Sequence, residues 1–171
     1  MSKSRWILLA EDNANDADLT TRALAANQSP IKVVLVTDGA EALDCLYRRG
    51  AFQSRDDDPP AVVLLDLKMP RVDGLEVLRQ IKSDAALKNI PVVIFTSSKE
   101  WVDLARAYQL GANAYVVKPL GYQEFMSALK DVKKFWLIIN ELPLVEPVKV
   151  ADMLAQPLPA RPLQLQLSPA A

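Results

Sequence analysis

The chain has 171 residues, of which 50% are hydrophobic and 24% are charged, and its formal net charge is −1. A compact domain takes about 100–150 residues, so this length allows one domain with an extension and excludes two full domains. The near-zero net charge gives no electrostatic basis for binding nucleic acid or an anionic membrane, so neither partner is expected.

The chain contains no histidine and a single cysteine, Cys45. Without histidine, Ser-His-Asp and Cys-His catalysis and histidine-ligated metals are excluded, which leaves hard oxygen ligands for any metal. One cysteine cannot form an intrachain disulfide, which favours a reducing compartment. The N-terminus becomes acidic too early for a signal peptide, and no apolar run reaches about 18 residues. We therefore expect a cytoplasmic protein.

Five short apolar runs predict β-strands, and segments of helical period alternate with them. Most of the runs are apolar throughout, as in strands covered on both faces. The predicted strands are 6–10, 31–36, 61–65, 91–95 and 114–117, and the predicted helices are 15–27, 39–49, 74–82, 99–110 and 121–139. Five βα units favour an α/β fold with a doubly wound parallel sheet, in which ligands bind at the carboxyl ends of the strands.

The composition changes after residue 139. Residues 140–171 hold half of the twelve prolines and no glycine. Prolines exclude a long regular helix, and the leucine and valine content is too apolar for a typical disordered linker. We therefore predict two regions, a folded domain at 1–139 and an extended Pro/Leu-rich C-terminal arm at 140–171.

Polar side chains follow four of the five predicted strands. Glu11 and Asp12 follow the first strand, Asp66 the third, Thr96 the fourth and Lys118 the fifth. Because the carboxyl ends of parallel strands meet at one edge of the sheet, we expect these groups to converge there. Crowded carboxylates repel each other and need a cation, and Mg²⁺ suits one or two carboxylates together with phosphate oxygens.

Asp66 is the predicted nucleophile, because it stands apart from the other acids at the end of a very hydrophobic strand. An aspartate carboxylate can form an acyl phosphate when a metal and a second cation neutralise the incoming phosphoryl group. Lys118 would supply that cation. Thr96 would donate its hydroxyl to a phosphoryl oxygen.

Four motifs resemble the receiver domain of two-component response regulators. They are LLAEDN (8–13), LLDLKMPRVDG (64–74), VIFTSS (93–98) and GANAYVVKPL (111–120). The intervals of 30 positions from Asp66 to Thr96 and 22 from Thr96 to Lys118 match as well. The resemblance covers residues 6 to about 135 and implies a flavodoxin-like five-stranded fold with strand order 2-1-3-4-5.

The resemblance also implies a function for the site. Asp66 would accept a phosphoryl group from a phosphohistidine on a sensor histidine kinase. The implied Mg²⁺ ligands are Glu11, Asp12, Asp66 and the backbone carbonyl of Lys68. The peptide bond before Pro119 would be cis. Phosphorylation would move Thr96 and rotate the switch aromatic Tyr115 inward, which would reshape the surface around the last strand.

Two other features have simpler interpretations. The segment RRGAFQSRDDDPP (48–60) lengthens the loop before the third strand. Its three aspartates are compatible with a calcium site, but a solvated loop at the rim away from the site is favoured. Cys45 lies on the apolar stripe of a helix, where core filling is favoured over redox sensing. Trp6 and Trp101 are expected to be packing residues.

Within the segment KKFWLIIN (133–140), residues 135–139 are apolar all the way round a helix and must be covered by something. Either the arm folds back over it or a second protomer covers it. Receiver-only regulators that partner phytochrome-type sensor kinases are similar in this segment and in the long loop, and are often dimers. The resemblance therefore favours a homodimer with exchanged or embracing arms, with contacts at Phe135, Trp136 and Ile139. The period-two LQLQL (163–167) would suit strand addition to a partner.

The favoured function is a phosphorylation-dependent switch that is not an enzyme, has no output domain and signals through protein contacts. One alternative is a phosphatase of the haloacid-dehalogenase type. That family places a second acid two residues after the nucleophile, where this chain has Lys68. The other alternative is a dimerisation scaffold that works without phosphorylation, against which the presence of all five site residues argues.

Overall fold

The structure, a computed structural model, describes residues 5–25, 31–55 and 58–141. The predicted C-terminal arm beyond residue 141, including the period-two segment, lies outside the described residues. Within them, five parallel strands form one sheet with the order 2-1-3-4-5, numbered along the chain, which confirms the predicted topology. Over these same residues, no helix has the length and apolar character needed to span a membrane.

Strands and helices alternate along the chain as predicted, with bounds that differ from the predictions by one or two residues in most elements. The strands are β1 (Trp6–Ala10), β2 (Lys32–Val36), β3 (Val62–Leu65), β4 (Val92–Thr96) and β5 (Ala114–Val117). The helices are α1 (Ala14–Ala25), α2 (Gly39–Tyr47), α3 (Gly74–Ser83), α4 (Trp101–Gln109) and α5 (Tyr122–Lys134). The last predicted helix ends differently, because a π-helical turn at Phe135–Ile139 follows α5.

The core consists of two layers, one on each face of the sheet. Successive strand residues point to opposite faces, so Leu8 packs with α2 and α3 while its neighbour Ile7 packs with α1 and α5. The strands β1, β3 and β4 are buried throughout, as predicted. The edge strands β2 and β5 are only partly covered, and Leu35 on β2 is 43% exposed.

Smaller predictions have mixed outcomes. Cys45 and Trp6 are buried, as expected. Trp101 is 75% exposed, so its assignment as a packing residue is wrong. It is the first residue of α4, a helix that buries only Ala107, and its ring lies outside the core. The lengthened loop precedes β3 and contacts the first residue of β1, where the Trp6 indole donates to the Asp58 carbonyl at 2.7 Å. The loop therefore lies at the rim opposite the carboxyl ends of the strands.

Two helices begin close to the loop that follows β3. Asp38 caps α2 by accepting from the Glu41 N–H at 2.8 Å, and Asp73 caps α3 in the same way. A Cβ atom at Gly74 would clash with the carbonyl oxygen of Asp66. The start of α3 therefore packs directly against the backbone of Asp66, and only glycine fits there.

Candidate functional site

Three site residues are held by the same backbone arrangement. Glu11, Asp66 and Lys118 each come one residue after a strand. The N–H groups of Glu11, Asp66 and Lys118 donate to the last carbonyls of the neighbouring strands, those of Val36, Ala10 and Thr96, at 3.0, 3.0 and 2.7 Å respectively. The sheet ladder thus extends one step beyond the strands, and it fixes the start of each functional side chain. The predicted convergence at this edge of the sheet is confirmed for these residues.

Glu11, Asp12 and Asp66 form a cluster of carboxylates. One oxygen from each lies within 4.8 Å of the others, and Glu11 and Asp66 are buried while Asp12 is exposed. Burial raises the pKa of Glu11 to about 7, although its hydrogen bond with Lys118 partly opposes this rise. A buried carboxyl in a set of hard oxygen donors is what a divalent cation such as Mg²⁺ would stabilise. These residues therefore fit a magnesium site.

The two carboxylate oxygens of Asp66 have different partners. Oδ1 accepts from the backbone N–H of Leu67 at 2.6 Å, and the N–H of Lys68 lies at 3.4 Å. Oδ2 accepts from the ammonium of Lys118 at 2.8 Å. The backbone therefore fixes the orientation of the carboxylate, and Oδ2 faces the cationic side of the site.

Lys118 lies at the centre of the site, and its side chain is only 5% exposed. Its Nζ donates to Glu11 Oε2 at 2.6 Å, to Asp66 Oδ2 at 2.8 Å and to Asp16 Oδ2 at 2.8 Å. Burial alone would lower the pKa of Lys118, but the three carboxylates together raise it above its ordinary value. The ammonium is therefore permanently charged at neutral pH.

Asp16 was not among the predicted site residues. It lies in the first turn of α1, and the sequence analysis considered only the residues that directly follow strands. The position of Asp16 could have been predicted from the topology. Because α1 follows β1 after three residues, its first turn begins at the same rim as Glu11.

The peptide bond between Lys118 and Pro119 is trans, so the expected cis bond at Pro119 is wrong. A trans bond is the lower-energy isomer for an X-Pro pair. The side chain of Lys118 reaches all three carboxylates over the trans bond.

The two predicted switch residues meet at the loop after β4. Thr96 is buried at the end of β4, and its hydroxyl oxygen lies 3.3 Å from the N–H of Ser98, which donates to it. The Tyr115 hydroxyl donates to the carbonyl oxygen of Ser98 at 3.1 Å. A movement of either residue would therefore change a hydrogen bond to the same short loop.

A family model for the response regulator receiver domain matches residues 7–130. The chain belongs to this family. The match covers α1 to α4 and all five strands except Trp6, the first residue of β1, and it ends inside α5. Membership of this family agrees with the order of the motifs, with the strand order and with the cluster of Glu11, Asp12 and Asp66.

The receiver resembles two curated proteins. It is 41% identical to the probable methanogenesis regulatory protein FilR2 of Methanothrix harundinacea, over 80% of this chain and 86% of that protein. It is 33% identical to the response regulator Rcp1 of a Synechocystis strain, over 80% of this chain and 92% of that protein.

Two solved structures share the fold. The phosphorylated cyanobacterial phytochrome response regulator RcpA matches with a TM-score of 0.77 at 39% identity, covering 81% of this chain and 98% of that one. The Mn²⁺-bound form of Rcp1 matches with a TM-score of 0.75 at 32% identity, covering 81% of this chain and 99% of that one. The receiver part of the chain thus corresponds to nearly the whole of each of these structures.

Of the three predicted contact residues at the end of α5, the structure leaves two exposed. Phe135 is 46% and Ile139 is 57% exposed, whereas Trp136 is buried. The rings of Phe135 and Trp136 meet edge to face at 4.9 Å. Together with Ile138, which is 71% exposed, Phe135 and Ile139 form an apolar surface that we call the α5-end patch.

Proposed function

We propose that this receiver is a phosphorylation-dependent response regulator that accepts a phosphoryl group on Asp66 from a phosphohistidine of a sensor histidine kinase. The observation that carries this proposal is the placement of Asp66 Oδ2, which is buried and lies 2.8 Å from the ammonium of Lys118. In the transfer, Oδ2 forms a bond to phosphorus while the bond from phosphorus to the imidazole nitrogen breaks. The leaving nitrogen keeps the electron pair, and the product is an acyl phosphate.

We infer that Mg²⁺ is held by Glu11, Asp12, Asp66 and the backbone carbonyl of Lys68. When bound, Mg²⁺ would neutralise part of the negative charge on the phosphoryl oxygens. Support comes from the carboxylate cluster and from the related Rcp1, of which a Mn²⁺-bound structure exists. Around the phosphoryl group, Lys118 would supply a second positive charge.

Thr96 and Tyr115 would carry the signal away from Asp66. The hydroxyl of Thr96 would give up its place beside the Ser98 N–H to donate to a phosphoryl oxygen. Tyr115, held by the Ser98 carbonyl, would adjust with this loop. The readout is a change of surface shape that a partner protein recognises.

We propose a phytochrome-type kinase as the donor and the cytoplasm as the location. The relative RcpA is a phytochrome response regulator, and its structure is of the phosphorylated protein. The free, buried Cys45 agrees with a reducing compartment.

We also propose that the protein is a homodimer. The α5-end patch exposes three large apolar side chains, and beside it lies an open groove of about 610 Å³ lined in part by Pro91, Val132 and Phe135. Apolar surface of this kind usually marks an interaction site. A second copy of the chain, contributing its arm at 140–171, is the proposed occupant.

The phosphoacceptor proposal is tested by incubating the protein with Mg²⁺ and acetyl phosphate and measuring intact mass. We expect one added phosphoryl group on the wild type and on Asp131→Asn, an exposed carboxylate on α5 that serves as the control. Asp66→Asn should gain none. Turnover of the donor without an adduct would indicate a phosphatase, and a lack of any reaction would indicate a scaffold.

A further inference from the structure

The ammonium of Lys118 has three N–H donors, and each has its own carboxylate acceptor. Two of the acceptors, Glu11 and Asp66, belong to the carboxylate cluster that fits Mg²⁺. The third acceptor, Asp16, lies outside that cluster. Asp16 is therefore the one partner of Lys118 that neither the cation nor the phosphoryl group would engage.

We propose that Asp16 is a positioning residue that holds the ammonium of Lys118 beside Oδ2 of Asp66 when Mg²⁺ is bound. This inference rests on the proposed phosphoacceptor function. A cation on Glu11 and Asp66 takes up part of their negative charge and repels the ammonium, so both effects loosen Lys118. The ion pair with Asp16, at 2.8 Å, does not depend on that cation and keeps the ammonium in place.

Among the described residues, the ammonium has no hydrogen-bond acceptor besides Glu11, Asp16 and Asp66. On another side of the ammonium lies the ring of Phe95, with its centroid 5.8 Å from Nζ, and it offers no hydrogen-bond acceptor of comparable strength. If Asp16 were removed, one N–H of a nearly buried ammonium would depend on water, which is free to exchange. Lys118 would then sample more positions.

The backbone of Asp16 is itself fixed. The side-chain oxygen of Asn13 accepts from the N–H groups of Asn15 and Asp16 at 3.0 and 3.1 Å and so caps the start of α1. The N–H of Asn13 in turn donates to Glu11 Oε1 at 3.2 Å. The first turn of α1 is thus tied to the end of β1, which fixes the backbone from which the Asp16 carboxylate reaches Lys118.

The variants for the test are Asp16→Ala, Asp16→Asn and the control Asp18→Ala. Asp18 lies on the same helix and carries the same charge, but it pairs with Arg22 at the surface, at 2.9 Å. The Asn variant keeps a hydrogen-bond acceptor and loses the charge. The Ala variant loses both.

The first readout is the ¹⁵Nζ signal of the Lys118 ammonium in NMR spectra with saturating Mg²⁺, assigned by its loss in Lys118→Arg. We expect proton exchange at Lys118 to become at least about tenfold faster in Asp16→Ala and less so in Asp16→Asn. The signal of Lys82, whose ammonium also has three acceptors, serves as an internal reference and should not change.

The second readout is the rate of phosphorylation by acetyl phosphate. We expect it to fall about tenfold in Asp16→Ala, with partial recovery in Asp16→Asn and a rate within about twofold of the wild type in Asp18→Ala. A folded Asp16→Ala protein with an unchanged Lys118 signal and an unchanged rate would overturn the inference. If the wild type takes up no phosphoryl group, the proposed function is wrong. The Lys118 signal then still tests the role of Asp16, because a change in Asp16→Ala supports that role and no change contradicts it.

Discussion

At the scale of single residues, the site holds more negative than positive charge. Four carboxylates, those of Glu11, Asp12, Asp16 and Asp66, share the neighbourhood of one ammonium. Lys118 pairs with three of them, and yet the pKa of Glu11 still rises to about 7 because this side chain is buried. A divalent cation bound by these carboxylates would therefore stabilise the fold.

The raised pKa of Glu11 predicts that the stability of the fold depends on pH in metal-free buffer. The pKa of Glu11 is about 7 in the folded state, against 4.5 for an ordinary glutamate, so its contribution to stability is fully present below pH 4.5 and is lost as the pH rises through 7. We expect the free energy of unfolding to fall by roughly 2 kcal/mol between pH 5.5 and 8. In Glu11→Gln this slope should flatten.

Urea unfolding with a metal chelator, at several pH values, measures the slope. The chain has no histidine, so few other groups titrate in this interval. An equal slope in the wild type and in Glu11→Gln would assign the pH dependence to another group.

Replacing Lys118 by methionine removes the cation from a buried cluster. Breaking a buried ion pair by removing one partner costs about 3–5 kcal/mol, because the remaining charges are left uncompensated. We expect metal-free Lys118→Met to lose about 3 kcal/mol in urea unfolding and to regain part of it with Mg²⁺. Lys130→Met, on the exposed side of α5, is the matched control and should change stability little. Equal losses in the two variants would contradict a central role of Lys118 in the cluster.

At the scale of elements, the path from β3 into α3 decides where Asp66 can lie. The N–H of Gly74 donates to the carbonyl of Leu67 at 2.8 Å, and a side chain at Gly74 would strike the carbonyl of Asp66. Arg71, in the same loop, pairs with the α2 cap Asp38. The loop is therefore held on two sides, and Asp66, the proposed phosphoacceptor, lies at its base.

We expect Gly74→Ala to destabilise the fold by about 1–3 kcal/mol, the usual cost of overpacking. Phosphorylation by acetyl phosphate should slow as well, because Asp66 must shift. Gly121→Ala is the control, since the atoms nearest to a Cβ there belong to the flexible end of the Glu124 side chain. Urea unfolding and the phosphorylation rate measure both effects. If Gly74→Ala matched Gly121→Ala in stability and in phosphorylation rate, the loop would be able to accommodate a methyl group at residue 74 at little cost.

Much of the fold was predictable because the strands are short, apolar and regularly spaced. Convergence of Glu11, Asp66 and Lys118 followed from the parallel topology alone. Asp16 was not predictable by the same rule, since its approach to Lys118 depends on how the first turn of α1 is set against β1. The exposure of Trp101 was missed because an aromatic side chain at a helix start looks the same in sequence whether it packs or not.

At the scale of the whole molecule, the two ends of the domain perform different tasks. The proposed phosphoacceptor Asp66 lies at the carboxyl ends of the strands, while the lengthened loop before β3 lies at the opposite rim. The α5-end patch comes after the last helix, where the proposed arm begins. The proposed dimer contacts are thus separate in sequence from every residue of the site.

The proposed dimer predicts the effect of truncation. We expect the full chain to be a dimer and a chain ending at residue 140 to be a monomer, because the arm would no longer cover the α5-end patch of a partner. Size-exclusion chromatography with light scattering gives the masses. Ile138→Ser with Ile139→Ser in the full chain should weaken the dimer, and Leu35→Ser, an exposed leucine on β2, should not. A truncated chain that stays dimeric, or a full chain that is monomeric, would contradict the dimer proposal.

The side chain of Arg5 joins the beginning of the domain to its end. Its guanidinium donates to the carbonyl of Leu137 at 2.7 Å and to that of Asn140 at 3.3 Å. Residues 5 and 140 are therefore near neighbours in space, and a short linker could join them. The receiver is thus suited to circular permutation, with new ends opened in the loop before β3, on the rim away from Asp66. Such a permutant would allow a fluorescent reporter to be inserted far from Asp66, the proposed phosphoacceptor.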